Sequence, residues 1–211
     1  MKGCRPLEMI EVHRALELLR LNRTRLAMRD RCLLLVGLNT GFRISELLSL
    51  RVGDVWRDGR MLERVVVERK HMKGKHSSRD VELNDAALCA IRAWLPVLFN
   101  WRGAGDDLYL FQSTKGGRLT RQQAGRIISG LAQELGFPPR IATHSLRKTF
   151  AATVYADELN HWRPGQVEPI RVTKFALGHA SVETTESYLG VNEACVNRAV
   201  RRLNIGGSRE D

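Results

Sequence analysis

Apolar side chains return every three or four positions over most of this chain, the signature of amphipathic helices. Met9, Val12, Leu16 and Leu19 form a first stripe, which Pro6 is placed to open. Thr24 is positioned to cap a second helix through the apolar segment Cys32 to Leu38. A third, short helix starts near Arg43 and carries Leu47, Leu48 and Leu50. The period then changes. Leu62 to Arg69 contains Val65-Val66-Val67, and Arg79 to Leu83 alternates polar residues with Val81 and Leu83, so two short strands are expected. Between them the basic, glycine-containing loop His71 to Ser78 suits a hairpin tip. This is the one sheet element the pattern predicts.

Helical spacing resumes with Leu88, Ile91, Leu95 and Leu98, capped by Asn84 or Asp85. Thr120 and Gln123 form a capping box ahead of Ala124, Ile127, Ile128, Leu131 and Leu135. Gly136 and Pro138-Pro139 stop that helix. Another extends from His144 to about Glu158, a polar loop spans Asn160 to Glu168, and a short helix follows from Pro169. Val196, Ala199, Val200 and Leu203 stripe a terminal helix. No repeat or linker interrupts the pattern, so residues 1–205 are expected to form a single domain and 206–211 a disordered tail. The fold class is mainly α with a small antiparallel β-hairpin, an α+β chain.

Charge adds a partner class. Lys and Arg number 34 against 23 acids, a net charge of +11, and a chain this basic favours a polyanion, most commonly nucleic acid. Cys4, Cys32, Cys89 and Cys195 form no metal-type pair. Cys32 and Cys89 sit among apolar residues, which predicts buried thiols in a reducing compartment. The start resembles no signal peptide and the longest apolar run, Cys32 to Leu38, is too short to cross a bilayer. A soluble, cytoplasmic protein with no membrane partner is expected.

Candidate chemistry lies in separated motifs. In Thr40-Gly41-Phe42-Arg43-Ile44-Ser45-Glu46, Arg43 and Glu46 are three residues apart, so the carboxylate is able to hold the guanidinium; alone the pair reads equally as a surface ion pair. The hairpin loop carries Lys70, Lys73 and Lys75, any of which could protonate a leaving alkoxide. His144 and Arg147 share a helix face, and His179 follows a Leu-Gly turn. Of three tyrosines, Tyr109 and Tyr155 lie in apolar surroundings and read as core. Tyr188 follows Thr184-Thr185-Glu186-Ser187, nine residues after His179, so its hydroxyl is free to face a substrate. Guanidiniums match phosphate oxygens, imidazoles move protons near neutral pH and a phenolic oxygen forms covalent intermediates. Together they suggest chemistry on a phosphate.

These motifs, in this order, resemble the tyrosine recombinases: Gly-Phe-Arg43-Ile-Ser-Glu46, a hairpin Lys73-Gly-Lys, His144-x-x-Arg147, Leu-Gly-His179, then Tyr188. These are the phage-integrase and Xer-type site-specific recombinases. The likeness covers about residues 6 to 205 and implies that family's catalytic-domain fold. It implies that Arg43 and Arg147 grip the scissile phosphate, His179 stabilises the transition state, and Tyr188 attacks to give a 3′-phosphotyrosyl bond. Lys73 would protonate the 5′ leaving oxygen, His144 would assist proton removal from Tyr188, and Glu46 would support Arg43. No metal and no cofactor is implied. Double-stranded DNA is the implied partner, and by charge placement Lys75, Arg79, Lys115, Arg118, Arg121, Arg140 and Lys148 are expected to face its backbone. A homotetramer on DNA that exchanges the C-terminal helix is a further expectation, with a nucleoid location of bacterial or phage type.

Three features depart from Xer-type chains. The motifs begin close to the first residue, which is read as a catalytic domain without the N-terminal core-binding domain, either an excised domain or a short recombinase of the fimbrial phase-variation type. The polar stretch from Tyr155 to Glu168 is longer and is expected to shape partner or DNA contacts. The hairpin is longer too, which leaves Lys73 and Lys75 competing. Two other functions remain open: relaxation of DNA like a type IB topoisomerase, and a non-catalytic DNA-binding regulator of the same fold.

Overall fold

A computed structural model of the chain describes residues 3–67 and 79–189. The hairpin tip with Lys70, Lys73 and Lys75, the terminal helix, Cys195 and the tail lie outside the described residues. Within them the chain forms α1 (Met9–Leu21), α2 (Arg25–Thr40), α3 (Ile44–Leu47), β1 (Trp56–Arg57), β2 (Arg60–Met61), β3 (Arg64–Val67), β4 (Arg79–Glu82), α4 (Asp85–Arg102), α5 (Arg121–Glu134), α6 (Thr143–His161), α7 (Pro169–Leu177) and α8 (Val182–Leu189).

Helix α2 is the shared wall of two cores. Its Cys32, Leu33 and Val36 join Leu47, Leu50, Val65, Val67, Ile91, Trp94, Leu98 and Phe111 in one. Its Ala27 and Leu34 join Val12, Ala15, Leu19, Ile128 and Leu146 in the other. A helix apolar on two faces is buried on both sides, which is why the sequence shows a run there rather than a stripe. Helices α6, α7 and α8 pack against one another at one end of α2.

Local signals set the helix starts. Thr24 accepts from the Ala27 amide at 3.2 Å, Asn84 from Ala87 at 3.0 Å, and Thr120 from Gln123 at 3.1 Å while Gln123 reaches back to the Thr120 amide at 2.8 Å. Asn84, not Asp85, is thus the cap of α4. Strands β3 and β4 pair antiparallel, Arg64 opposite Glu82 and Val67 opposite Arg79, with Val65, Val67 and Val81 turned into the core.

Six expectations change. Helix α1 begins after Glu8 rather than at Pro6, because Glu11 bonds back to the Glu8 amide at 2.9 Å. Its buried stripe is Val12, Ala15 and Leu19, and Met9 is 54% exposed. A second hairpin, β1–β2, pairs Trp56 with Met61. Its Asp58-Gly59 tip has φ of 51° and 76°, the two-residue turn that Asp-Gly favours. Cys89 is exposed while Cys32 is buried: the inward face of α4 runs through Ala87, Ala90, Ile91, Trp94 and Leu98, and position 89 falls off it. Tyr109 and Tyr155 are only partly buried, and the Arg51 guanidinium lies 4.8 Å from the Tyr109 ring centre. Finally, helix α6 runs three residues beyond Glu158, to His161.

Gly41, which ends α2, takes a left-handed φ of 59°, and a Cβ there would collide with the Phe150 ring on α6. Strain and overpacking then add. Gly41→Ala is expected to cost about 2–4 kcal/mol of folding stability, read from urea unfolding.

Candidate active site

The site forms where the C-termini of α2 and α7 meet the first turns of α6. Arg147 is 1% exposed, and burial together with nearby Arg43 holds its guanidinium below the usual arginine range. What accepts this cation is backbone. One terminal nitrogen donates to the Gly41 carbonyl, and the other to the Leu177 carbonyl at 2.7 Å. Gly41 is the left-handed cap of α2, and Leu177 is the last residue of α7 before Gly178, whose φ is 62°. Both carbonyls stand at helix C-termini, where the helix dipole is negative and carbonyls lack intrahelical partners. The two glycines turn the chain away and leave those oxygens for Arg147.

Arg43 is the residue before α3, and Glu46 sits inside that helix with 0% exposure. Its carboxylate accepts from the Arg43 amide at 2.8 Å and from the Arg43 guanidinium at 2.7 Å. The pair is thus no solvated surface contact. Arg43 lowers the charging of both His144 and Arg147, which places its positive charge in the same cluster.

His144 is the second residue of α6, and burial together with Arg147, Lys148 and Arg43 keeps its imidazole below the ordinary histidine range. The ring is therefore neutral at neutral pH, and its Nε2 is hydrogen-bonded to the Tyr188 hydroxyl. The Tyr188 ring stands edge-on between two imidazoles, 5.0 Å from that of His144 and 4.8 Å from that of His179. The Arg147 guanidinium carbon and Lys148 Nζ lie 6.0 Å and 5.9 Å from the Tyr188 ring centre. His179 follows the Gly178 turn with its amide bonded to Lys174 O at 3.1 Å. Its Nδ1 is 3.0 Å from the Thr185 hydroxyl of α8.

Five residues named from sequence, Arg43, His144, Arg147, His179 and Tyr188, thus converge, with Glu46 behind the first. Lys73 and Lys75 lie outside the described residues, as does the side chain of Arg79. Lys115 is exposed in a turn. Arg118 and Arg121 flank the start of α5 and line a cleft of about 370 Å³ with Ser45 and Leu48. Arg140 instead donates to the Gly3 carbonyl at 2.8 Å and 3.0 Å. Lys148 stands beside the phenol. Thr185 and the carbonyls of Gly41 and Leu177 join the site without having stood out in the sequence. The Leu-Gly pair ahead of His179 and the Thr-Thr pair ahead of Tyr188 were the visible signals.

A nucleophilic hydroxyl with a neutral base on it, inside a ring of fixed cations, is equipped for displacement at a phosphodiester. The model of the phage integrase family matches residues 8–194, and the chain belongs to that family. It is 31% identical over 191 residues to the tyrosine recombinase XerC of Herpetosiphon aurantiacus, covering 87% of this chain and 56% of that protein. The tyrosine recombinase XerD of Oceanobacillus iheyensis is 31% identical over 189 residues, covering 87% of this chain and 57% of its own. The chain therefore spans just over half the length of these relatives. A crystal structure of the XerH site-specific recombinase bound to palindromic difH substrate, a post-cleavage complex, superposes with a TM-score of 0.69 at 22% identity, over 96% of this chain and 54% of that one. The fold is that of these recombinases.

Two measurements follow from the geometry. Glu46→Ala leaves Arg43 without its buried counter-charge and is expected to destabilise the fold by about 3 kcal/mol, read as a lowered midpoint in urea. The second is stability measured against pH. His144 resists charging in the folded chain, through burial first and then Arg147, Lys148 and Arg43, so the unfolded chain takes up that proton more readily. Stability is therefore expected to fall as pH drops below about 6.5, read from urea unfolding at several pH values. A stability that rises over that window would mean that His144 gains rather than loses proton affinity on folding.

Proposed function

We propose that this chain is the catalytic part of a site-specific DNA recombinase that cuts and rejoins strands through a 3′-phosphotyrosyl intermediate on Tyr188. The observation that carries the reading is the hydrogen bond from the Tyr188 hydroxyl to His144 Nε2, made beside the buried Arg147 cation. In this reaction the Tyr188 oxygen attacks phosphorus as its proton passes to His144 Nε2. The bond from phosphorus to the 5′ oxygen breaks, and Lys73 gives that oxygen its proton. Arg43, Arg147 and His179 bear the negative charge that builds on the non-bridging oxygens. Attack by another strand's 5′ hydroxyl on the phosphotyrosine reverses these steps and seals the new junction. The covalent link keeps the phosphodiester bond energy, so rejoining needs no separate energy source.

The partner in this reading is double-stranded DNA, supported by the charge of +11 and by the DNA-bound recombinase whose fold the chain shares. Lys75, Arg79, Lys115, Arg118, Arg121 and Lys148 contact its backbone. Arg140, already engaged by Gly3, contributes least. The working assembly is a tetramer joined by exchange of the C-terminal helix, acting in the cytoplasm on nucleoid DNA. Residues 1–205 form its catalytic domain. Similarity to XerC and XerD favours recombination over the relaxation and regulator alternatives.

A duplex nicked close to the cleavage point lets the short 5′ fragment diffuse away and traps the adduct. Wild-type protein is expected to accumulate a covalent complex on a denaturing gel. Tyr188→Phe should abolish it while DNA affinity changes less than about threefold, since the phenol is one contact among many phosphate contacts. An undiminished adduct with Tyr188→Phe would assign the nucleophile elsewhere. Affinity should fall by about 10³-fold or more between about 50 and 200 mM salt; a flat response would remove DNA as the partner.

A further inference from the structure

Thr185 is completely buried, at 0% exposure, one turn ahead of Tyr188 on α8. A threonine in a helix commonly returns its hydroxyl proton to the carbonyl four residues back. Thr40, Thr149 and Thr173 all do so here, at 2.7, 2.9 and 2.8 Å. Thr185 does something else. Among the described residues its Oγ1 pairs with His179 Nδ1 at 3.0 Å, and His179 is itself 7% exposed.

A buried hydroxyl has one proton to place, and leaving it unplaced is costly. With Nδ1 as its partner, the hydroxyl satisfies that proton only by donating it. Nδ1 then presents its lone pair, and the neutral ring carries its own proton on Nε2. We propose that Thr185 is a positioning residue that fixes His179 as the Nε2–H tautomer and so presents a hydrogen-bond donor to the scissile phosphate. The phosphate role rests on the recombinase reading above; the tautomer does not. Residues that orient an imidazole through its other nitrogen set both its proton and its angle.

The placement has a mechanical consequence. Thr185 and Tyr188 are three residues apart on one helix, so they share a face. Docking α8 against α6 and α7 brings the nucleophile to His144 and the orienting hydroxyl to His179 in the same movement. Displacing α8 would remove the phenol and at the same time take from His179 the group that fixes its proton. Nucleophile and transition-state donor are thereby armed together.

The test uses the full chain labelled with ¹⁵N-histidine, with the His179 signals assigned by comparison with His179→Gln. In the neutral ring of the wild-type protein, the proton is expected on Nε2, and Nδ1 should show the shift of a nitrogen that accepts a hydrogen bond. In Thr185→Val, which keeps the shape but not the hydroxyl, the Nδ1 signal should move downfield to that of an unbonded nitrogen. Thr185→Ser should restore it. A proton on Nδ1 in the wild type overturns the proposal without recourse to any variant. On the nicked duplex, Thr185→Val should lower the cleavage rate constant about tenfold, short of the 10²–10³-fold lost with a whole oxyanion donor. DNA affinity should be unchanged, and Thr185→Ser should recover most of the rate. Wild-type cleavage by Thr185→Val also overturns the proposal. If the wild type itself never forms an adduct, the recombinase reading fails, and the Nδ1 signal still decides the role of Thr185.

Discussion

One buried cation organises this end of the molecule. The Arg147 guanidinium joins the carbonyl ends of α2 and α7, helices separated by most of the chain. Burying a charge costs several kcal/mol unless partners replace its water. Here the partners are helix-terminal carbonyls, which carry the negative end of the dipole and need donors of their own. Each side resolves the other's deficit. The result is a positive charge that cannot swing away, beside a phenol that is only half-buried.

That constraint explains why glycine occupies the end of each helix. At Gly41 and Gly178 the backbone turns left-handed immediately after the last helical turn, which frees the carbonyls toward Arg147. At Gly41 the close approach of Phe150 closes the space that a side chain would need. The turn at Gly178 also delivers His179 to the side of Tyr188. Sequence, backbone conformation and electrostatics thus converge on one point. Arg43 is held differently, by a fully buried carboxylate on its own helix. Two guanidiniums brought to one place by two unrelated devices repel each other, and burial, aided by these charges and Lys148, keeps His144 uncharged.

The parts of the fold written in neighbouring residues were legible. Caps at Thr24, Asn84 and Thr120 act over three residues, and a sequence displays them directly. The β3–β4 pairing was legible for the same reason, through alternation of period two. What escaped depended on distant contacts. Cys89 sits in an apolar stretch, and only the rotation of α4 against α2 decides that it faces outward. The β1–β2 hairpin has strands too short for any period to register, although its Asp-Gly tip was a usable sign. In the site, the residue types and their spacing picked out side chains that the fold brings together, His144, Arg147, His179 and Tyr188. The burial of Glu46, the helix ends around Arg147 and the Thr185 contact emerged only when α2, α7 and α8 closed on α6. Motifs name the groups that meet; tertiary structure names the groups that hold them.

The central claim is that the Tyr188 oxygen becomes covalently joined to DNA. It is tested most directly by peptide mapping of the trapped complex: nuclease digestion, proteolysis and mass spectrometry of the peptide that retains a nucleotide. The account predicts a single modified peptide, with a nucleotide attached through its 3′ phosphate to Tyr188. A nucleotide on any other residue, or a 5′ linkage, would contradict it.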